Sequence, residues 1–172
     1  MNPVHFSSAS AEWATPRDLF ARLHAEHEFT LDVCATEENT VLPRFYTRND
    51  NGLAQDWAGE RCWMNPPYGT AKHACKPDCA KKACEKRGQH IPEYVPGIQD
   101  WVEKAATCGS LVVALLPART DTRWWHRHIW DVDRDAPRPG VRVKFFRGRL
   151  KFGGRKTGAP FPSALVTFGV QS

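Results

Sequence analysis

No apolar run in this 172-residue chain approaches the roughly 20 residues that a bilayer-crossing helix requires, so no helical membrane span is expected. An apolar leader segment is missing too, which removes the expectation of secretion. Internal repeats and low-complexity tracts are absent, and with them solenoid and linker-rich architectures. Acidic residues are in deficit: 19 Asp and Glu against 24 Lys and Arg leave a formal charge of +5. That balance disfavours a basic partner and points mildly toward a polyanion. Six cysteines without a secretory signal suit a reducing cytoplasm, as thiols or metal ligands rather than disulfides. The length fits one domain, 1–172, with no protein partner implied.

The strongest local signal is Asn65-Pro66-Pro67-Tyr68, which follows the strand-like run Arg61-Cys62-Trp63-Met64 and precedes Gly69. Two adjacent prolines fix two φ angles and supply no N–H donors. The loop therefore offers a carboxamide, prearranged carbonyl oxygens and an aromatic ring at one point, a set suited to a planar amine-bearing group.

Thr15-Pro16 predicts a helix start, with Thr15 as N-cap, Pro16 in the first helical position and Leu19, Phe20 and Leu23 facing inward. Residues 29–34 alternate as a strand, and residues 44–47 offer a second short one. A helix is expected after Pro96-Gly97 from the spacing of Ile98, Trp101, Val102 and Ala105. Residues 110–116 read as a fully buried parallel strand. Residues 121–130 read as helix, 141–152 as a hairpin turning at Arg147-Gly148, and 163–168 as a closing strand. The expected class is α/β: a doubly wound, mostly parallel sheet with an antiparallel C-terminal strand pair. Ligands in such sheets bind at strand carboxyl ends, where Asp32 and Asn65 both fall.

The tetrapeptide resembles the NPPY motif of S-adenosylmethionine-dependent amino-methyltransferases. From Trp13 to Phe168 the chain is similar to the small phage-type DNA N6-adenine methyltransferases, which implies a Rossmann-like methyltransferase sheet. The resemblance implies that Asn65 and the Pro66 carbonyl accept the two N–H groups of a flipped adenine, with Pro67 completing the loop and Tyr68 stacking on the base. It places Thr15 and Pro16 beside the methyl donor, and Asp32, Cys34 and Ala35 at the donor's methionine end. Asp56, with Trp57 beside it, is implied at the donor's adenine amine. One departure is that the first strand ends Cys34-Ala35-Thr36-Glu37, with no glycine where many methyltransferases have a glycine-rich turn. The implied substrate is double-stranded DNA in a bacterial host, the gene being phage- or prophage-borne. The alternatives are methylation of RNA or of a protein glutamine, or a non-catalytic zinc-dependent nucleic-acid-binding protein.

An insertion at about 70–95 carries Cys75-x3-Cys79-x4-Cys84-x5-His90, four soft or borderline ligands that fit a structural zinc ion. His73 rivals His90 for the fourth position. An irregular polar insertion of this length needs such a staple. It is also rich in cations, and Lys81, Lys82 and Arg87, with Arg119, Arg123 and Arg149 elsewhere, are the candidate DNA contacts. Trp124 and Trp125 suit a helix core better than base contacts.

Overall fold

The computed structural model describes residues 13–170, apart from the side chain of Arg87. Helix α1 (Arg17–His27) buries Leu19, Phe20 and Leu23, as its spacing predicts. Its N-cap is Pro16 rather than Thr15, and no side chain caps it. The reason is local: Thr15 is 8% exposed, and its hydroxyl is turned inward to accept a hydrogen bond from Asn65.

One five-stranded sheet organises the chain. Strand β1 (Leu31–Asp32) pairs in parallel with β2 (Arg61–Met64), and β2 in parallel with β3 (Leu111–Pro117). The 29–34 strand is thus shorter than expected in its regular ladder, although Thr30 and Val33 still donate to the Arg61 and Trp63 carbonyls. Outside β1, residues 44–47 contribute only a single parallel bridge, Phe45 to Asp32.

After β3 come a short helix α4 (Arg123–His128), a two-stranded ribbon β4 (Trp130–Asp131) with β5 (Ala136–Pro137), then β6 (Val141–Phe145) and β7 (Ser163–Phe168). Sheet order is β1-β2-β3-β7-β6, with β7 antiparallel to both neighbours. Within residues 121–130 the helix spans only 123–128, because residues 130–131 join the ribbon. Trp125 is core, 1% exposed, and Trp124 is half-buried against it.

The expected hairpin of 141–152 does not form. Strand β6 pairs with β7, whose six residues are all buried between β6 and β3. Residues beyond Phe146 leave the sheet: Gly148 turns at φ 77°, and Phe152 starts a short 3-10 turn. The Phe152 ring, fully buried, is claimed instead by Trp13, Tyr68 and Phe161.

Helix α3 (Ile98–Thr107) buries Ile98, Val102 and Ala105. Side chains alternate across a strand, so Cys62 and Trp63 of β2 point to opposite faces. Trp63 meets Phe20 of α1, while burial and then the nearby Cys108 at the end of α3 push the Cys62 thiol up to about 12, so the two helices lie on opposite faces of the sheet. Every residue of β3 after Leu111 is buried, which suits an unbroken apolar strand in the middle of a sheet. Among the described residues, no helix is long and apolar enough to cross a membrane.

Candidate active site and Cys/His cluster

Strand β2 delivers Asn65 at its carboxyl end, and the polar valences of the Asn65 side chain are specified. The amide nitrogen donates to the Trp13 carbonyl at 2.8 Å and to Thr15 Oγ1 at 3.1 Å. The phenol of Tyr68 lies 2.7 Å from Asn65 Oδ1 and 3.0 Å from the Leu115 carbonyl, with one proton to share between them. This network fixes which end of the amide is oxygen. A carboxamide oxygen has two lone pairs, so Oδ1 keeps one acceptor site beyond the phenol.

Tyr68 is 4% exposed, and its ring meets Phe161 and Phe152 edge-on at 5.5 and 6.3 Å. The open stacking face implied by the resemblance is enclosed in this arrangement. Burial, then the neighbouring Cys34, pushes the phenol's pKa well up, so it stays a hydrogen-bond donor. The loop is pinned on its far side as well, because Arg119 donates to the Tyr68 carbonyl at 2.9 Å. Arg119 thus faces the loop from the end of β3. Pro66 is buried and Pro67 half-buried.

Asp32 sits beside Asn65 at the end of the neighbouring strand, 3% exposed. Its carboxylate faces the Cys34 and Val41 amides at 3.5 and 3.3 Å. Desolvation outweighs those bonds and raises its pKa from 3.8 to about 6. Burial, reinforced by Asp32, likewise pushes the Cys34 thiol well up. Asp32, Cys34, Thr15, Ala14, Asn39, Trp63 and Asn65 enclose a polar space of about 10 Å³.

That space adjoins a larger cleft of about 580 Å³, and Cys34 lines both. The cleft runs from Ala35 and Thr36 past Asn51, Gly52 and Leu53 to Pro67, Gly69 and Thr70, with Trp101 of α3 at its side. Gly52 explains how the turn after β1 manages without glycine. No described non-glycine residue between 33 and 50 takes a positive φ, so the turn itself makes no such demand. Close approach is needed from the opposite side, where a Cβ on Gly52 would lie 2.2 Å from the Val33 carbonyl.

The structure does not bring every predicted residue to the cleft. Asp56 is exposed and holds the Ala58 amide at 2.9 Å, while Trp57 is fully buried and donates to the Gly52 carbonyl. Neither lines the cleft. Conversely, the Trp13 carbonyl, the Phe161 ring and the wall formed by Glu93, Tyr94 and Val95 carry no motif that marks them in the sequence.

In the insertion, Cys75, Cys79, Cys84 and His90 converge with their ligand atoms within 4.8 Å of one another. Cys75 and Cys79 lie 3.4 and 3.7 Å from Cys84, sulfur to sulfur. The Ile91 amide donates to Cys75 Sγ at 3.3 Å, the main reason that thiol falls to about 6, while Cys75 and then Cys79 push Cys84 up. His73 is not in the cluster; it packs against Tyr94. The insertion is less irregular than its composition suggests, because helix α2 (Lys82–Arg87) presents Cys84. Lys81 and Lys82 are exposed at the start of α2, and Arg123 and Arg149 are exposed elsewhere. The side chain of Arg87 lies outside the described residues.

Comparison with known proteins bears on this geometry. The chain is 48% identical over 58 residues to a DNA N-6-adenine-methyltransferase of Haemophilus phage HP1, covering 33% of this chain and 34% of that protein. It is 29% identical over 115 residues to a DNA N-6-adenine-methyltransferase of Escherichia phage T1, covering 66% of this chain and 38% of that protein. The matched stretches thus span little more than a third of these relatives' own lengths. A family model described as DNA N-6-adenine-methyltransferase (Dam) matches residues 6–162, nearly the whole chain and all of the site just described. This chain belongs to the DNA N-6-adenine-methyltransferase family.

Proposed function

We propose that the chain is an S-adenosylmethionine-dependent DNA methyltransferase acting on the exocyclic amine of a flipped adenine in duplex DNA. The observation that carries this is the fixed Asn65 carboxamide at the carboxyl end of β2, with one acceptor site left, next to Asp32 and a cleft of about 580 Å³. Pockets for small organic ligands are typically about 300–1,000 Å³, so the methyl donor fits by size. The sheet order and the helices on its two faces support a Rossmann-like, doubly wound reading.

The adenine amine is a weak nucleophile because its lone pair is delocalised into the ring. Asn65 Oδ1 and the Pro66 carbonyl each take one of its N–H groups, which turns the lone pair toward the methyl group. The donor supplies an activated methyl on a sulfonium centre. The nitrogen–methyl bond would form as the methyl–sulfur bond breaks, leaving a neutral thioether, and the nitrogen would then lose one N–H proton to solvent. No covalent intermediate on the protein is required, and the site works by positioning and electrostatics. Thr15, Pro16, Asp32, Cys34 and Ala35 would hold the methionine end, where the Asp32 carboxylate would supply a negative charge for the donor's ammonium. The Asn51–Leu53 side of the cleft would take the nucleoside, and Trp57 supports that turn from behind through its bond to the Gly52 carbonyl.

The insertion holds zinc. At about 2.3 Å per Zn–S bond a tetrahedron spaces its sulfurs about 3.8 Å apart, close to the separations found. Three thiols, an imidazole and an N–H···S bond from the backbone are a donor set suited to a closed structural site. Its exposed cations Lys81 and Lys82, with Arg123 and Arg149, bind DNA phosphates, as does Arg87 by its place in the same basic run, and Arg119 serves the catalytic loop between DNA and β3.

Labelled methyl transfer to defined duplexes, with mapping of the modified base, tests the reading. Modification at adenine N6 is expected. Asn65→Ala should lower turnover by at least 100-fold with donor affinity nearly unchanged, and near-normal turnover in that variant would sink the mechanism.

A further inference from the structure

The insertion and the cleft share one piece of backbone. Residues 90–96 leave the Cys/His cluster and run straight into the cleft wall, where Glu93, Tyr94, Val95 and Pro96 face Ala35, Gly52 and Pro67 across the opening. This arm is held at both ends. At the cluster end, Cys75 donates its amide to the Ile91 carbonyl, and Ile91 returns its own amide to Cys75 Sγ. At the sheet end, Lys72 and Val95 exchange two backbone bonds of 2.9 and 2.8 Å. Asp100 of α3 accepts from the Tyr94 phenol and the Gly97 amide, and a Cβ on Gly97 would lie 2.2 Å from the Ala71 nitrogen. Between those ends Pro92, Glu93 and Tyr94 are all exposed, and Tyr94 is tied down by its phenol on Asp100 and its ring against His73. Glu93 is also the sole carboxylate among the residues lining the cleft.

We propose that the Cys/His module is a wall of the methyl-donor cleft, so that metal in the cluster and nucleoside in the cleft bind cooperatively through the 90–96 arm. The proposal rests on the reading of the cleft as the methyl-donor site. With metal bound, His90 and Cys75 are fixed to each other, and the arm presents Glu93 and Tyr94 to the ligand. Without it, the arm must be ordered at the ligand's expense, which weakens binding. Glu93 accepts hydrogen bonds from the donor's hydroxyl groups. The coupling is reciprocal by thermodynamic linkage: whatever factor zinc contributes to nucleoside affinity, the nucleoside contributes to zinc affinity.

The test is calorimetric titration of S-adenosylhomocysteine into zinc-loaded full-length protein and into the same protein stripped by a chelator under reducing conditions. The stripped protein should bind at least tenfold more weakly, keep its far-ultraviolet circular dichroism, and recover on return of zinc. In a second measurement on the loaded protein, saturating S-adenosylhomocysteine should protect zinc from a chromophoric chelator by a similar factor. Glu93→Ala should retain one zinc and bind S-adenosylhomocysteine about tenfold more weakly. Equal affinity with and without zinc, together with unprotected zinc, overturns the cooperative wall and leaves the methyl-donor reading standing. Failure of the zinc-loaded protein to bind S-adenosylhomocysteine at all overturns that reading and the wall with it. A freshly purified protein that neither carries nor takes up zinc also overturns the proposal.

Discussion

Asn65 and Tyr68 act as one unit in this structure, and their bonds decide what each substitution reports. Tyr68→Phe removes the phenol held 2.7 Å from Asn65 Oδ1 and leaves the enclosed ring packed on Phe152 and Phe161. A single neutral hydrogen bond contributes roughly 1 kcal/mol, so turnover should fall about five- to tenfold with donor affinity unchanged. Single-turnover methylation measures this; a full rate in that variant would show that the ring alone matters. Asp32 makes a second prediction at this scale. Its pKa rises from 3.8 to about 6 on folding because burial strips the carboxylate of water. A raised carboxyl pKa means the fold binds that proton more tightly than the unfolded chain does. Its favourable contribution is therefore full below about pH 4 and is lost as pH rises through 6. Urea unfolding across pH 4 to 7 should show this decline, and Asp32→Asn should flatten it. Methyl-donor affinity should move oppositely, falling as pH drops below about 6, because the protonated carboxyl no longer attracts an ammonium group.

Elements depend on close approaches that no periodicity reveals. Gly52 brings the 51–53 turn against the end of β1, and a Cβ there would meet the Val33 carbonyl at 2.2 Å, inside any tolerable contact. Gly52→Ala should cost about 1–3 kcal/mol in chemical unfolding and weaken donor binding, because the turn also lines the cleft. Equal stability of that variant would show that the turn can move away freely. What the sequence makes legible at this scale follows the same division. The helices at Arg17–His27 and Ile98–Thr107, the buried strand β3 and the delivery of Asn65 by β2 all follow from apolar spacing and a proline-marked loop. Local alternation misleads at 141–152, where turn residues and apolar neighbours suggest a hairpin. The partner of β6 is instead β7, and Phe152 is drawn away by Trp13, Tyr68 and Phe161, a choice made by distant residues. Thr15 reads as a cap because that is what threonine before proline does locally; only the fold brings Asn65 to its hydroxyl. Helix α2 is hidden in the sequence by the cysteines and lysines around it.

Over the whole molecule, the excess of cations is unevenly useful. Arg119 is committed to the Tyr68 carbonyl, so its substitution should disturb the 65–68 loop more than DNA affinity. Lys81 and Lys82 are exposed on the insertion, whose two ends are zipped together by the Lys72–Val95 bridge just after the 65–68 loop. A duplex carrying an extruded adenine toward Asn65 would bring its backbone close to such a positively charged module. Cations that neutralise phosphates release counterions, so each contributes about 0.9 to the slope of log affinity against log salt on duplex DNA. Changing Lys81 and Lys82 together to Ala should make that slope shallower by up to about 1.8 and weaken binding at low salt with no dependence on sequence. Zinc content and donor affinity should stay as they are, since neither lysine is a member of the cluster or of the cleft lining. Fluorescence anisotropy with a labelled duplex over a salt series reads both quantities. A double variant with the parental slope would place the DNA elsewhere, leaving Arg123 and Arg149 as the remaining exposed candidates and the insertion with the cleft as its only task.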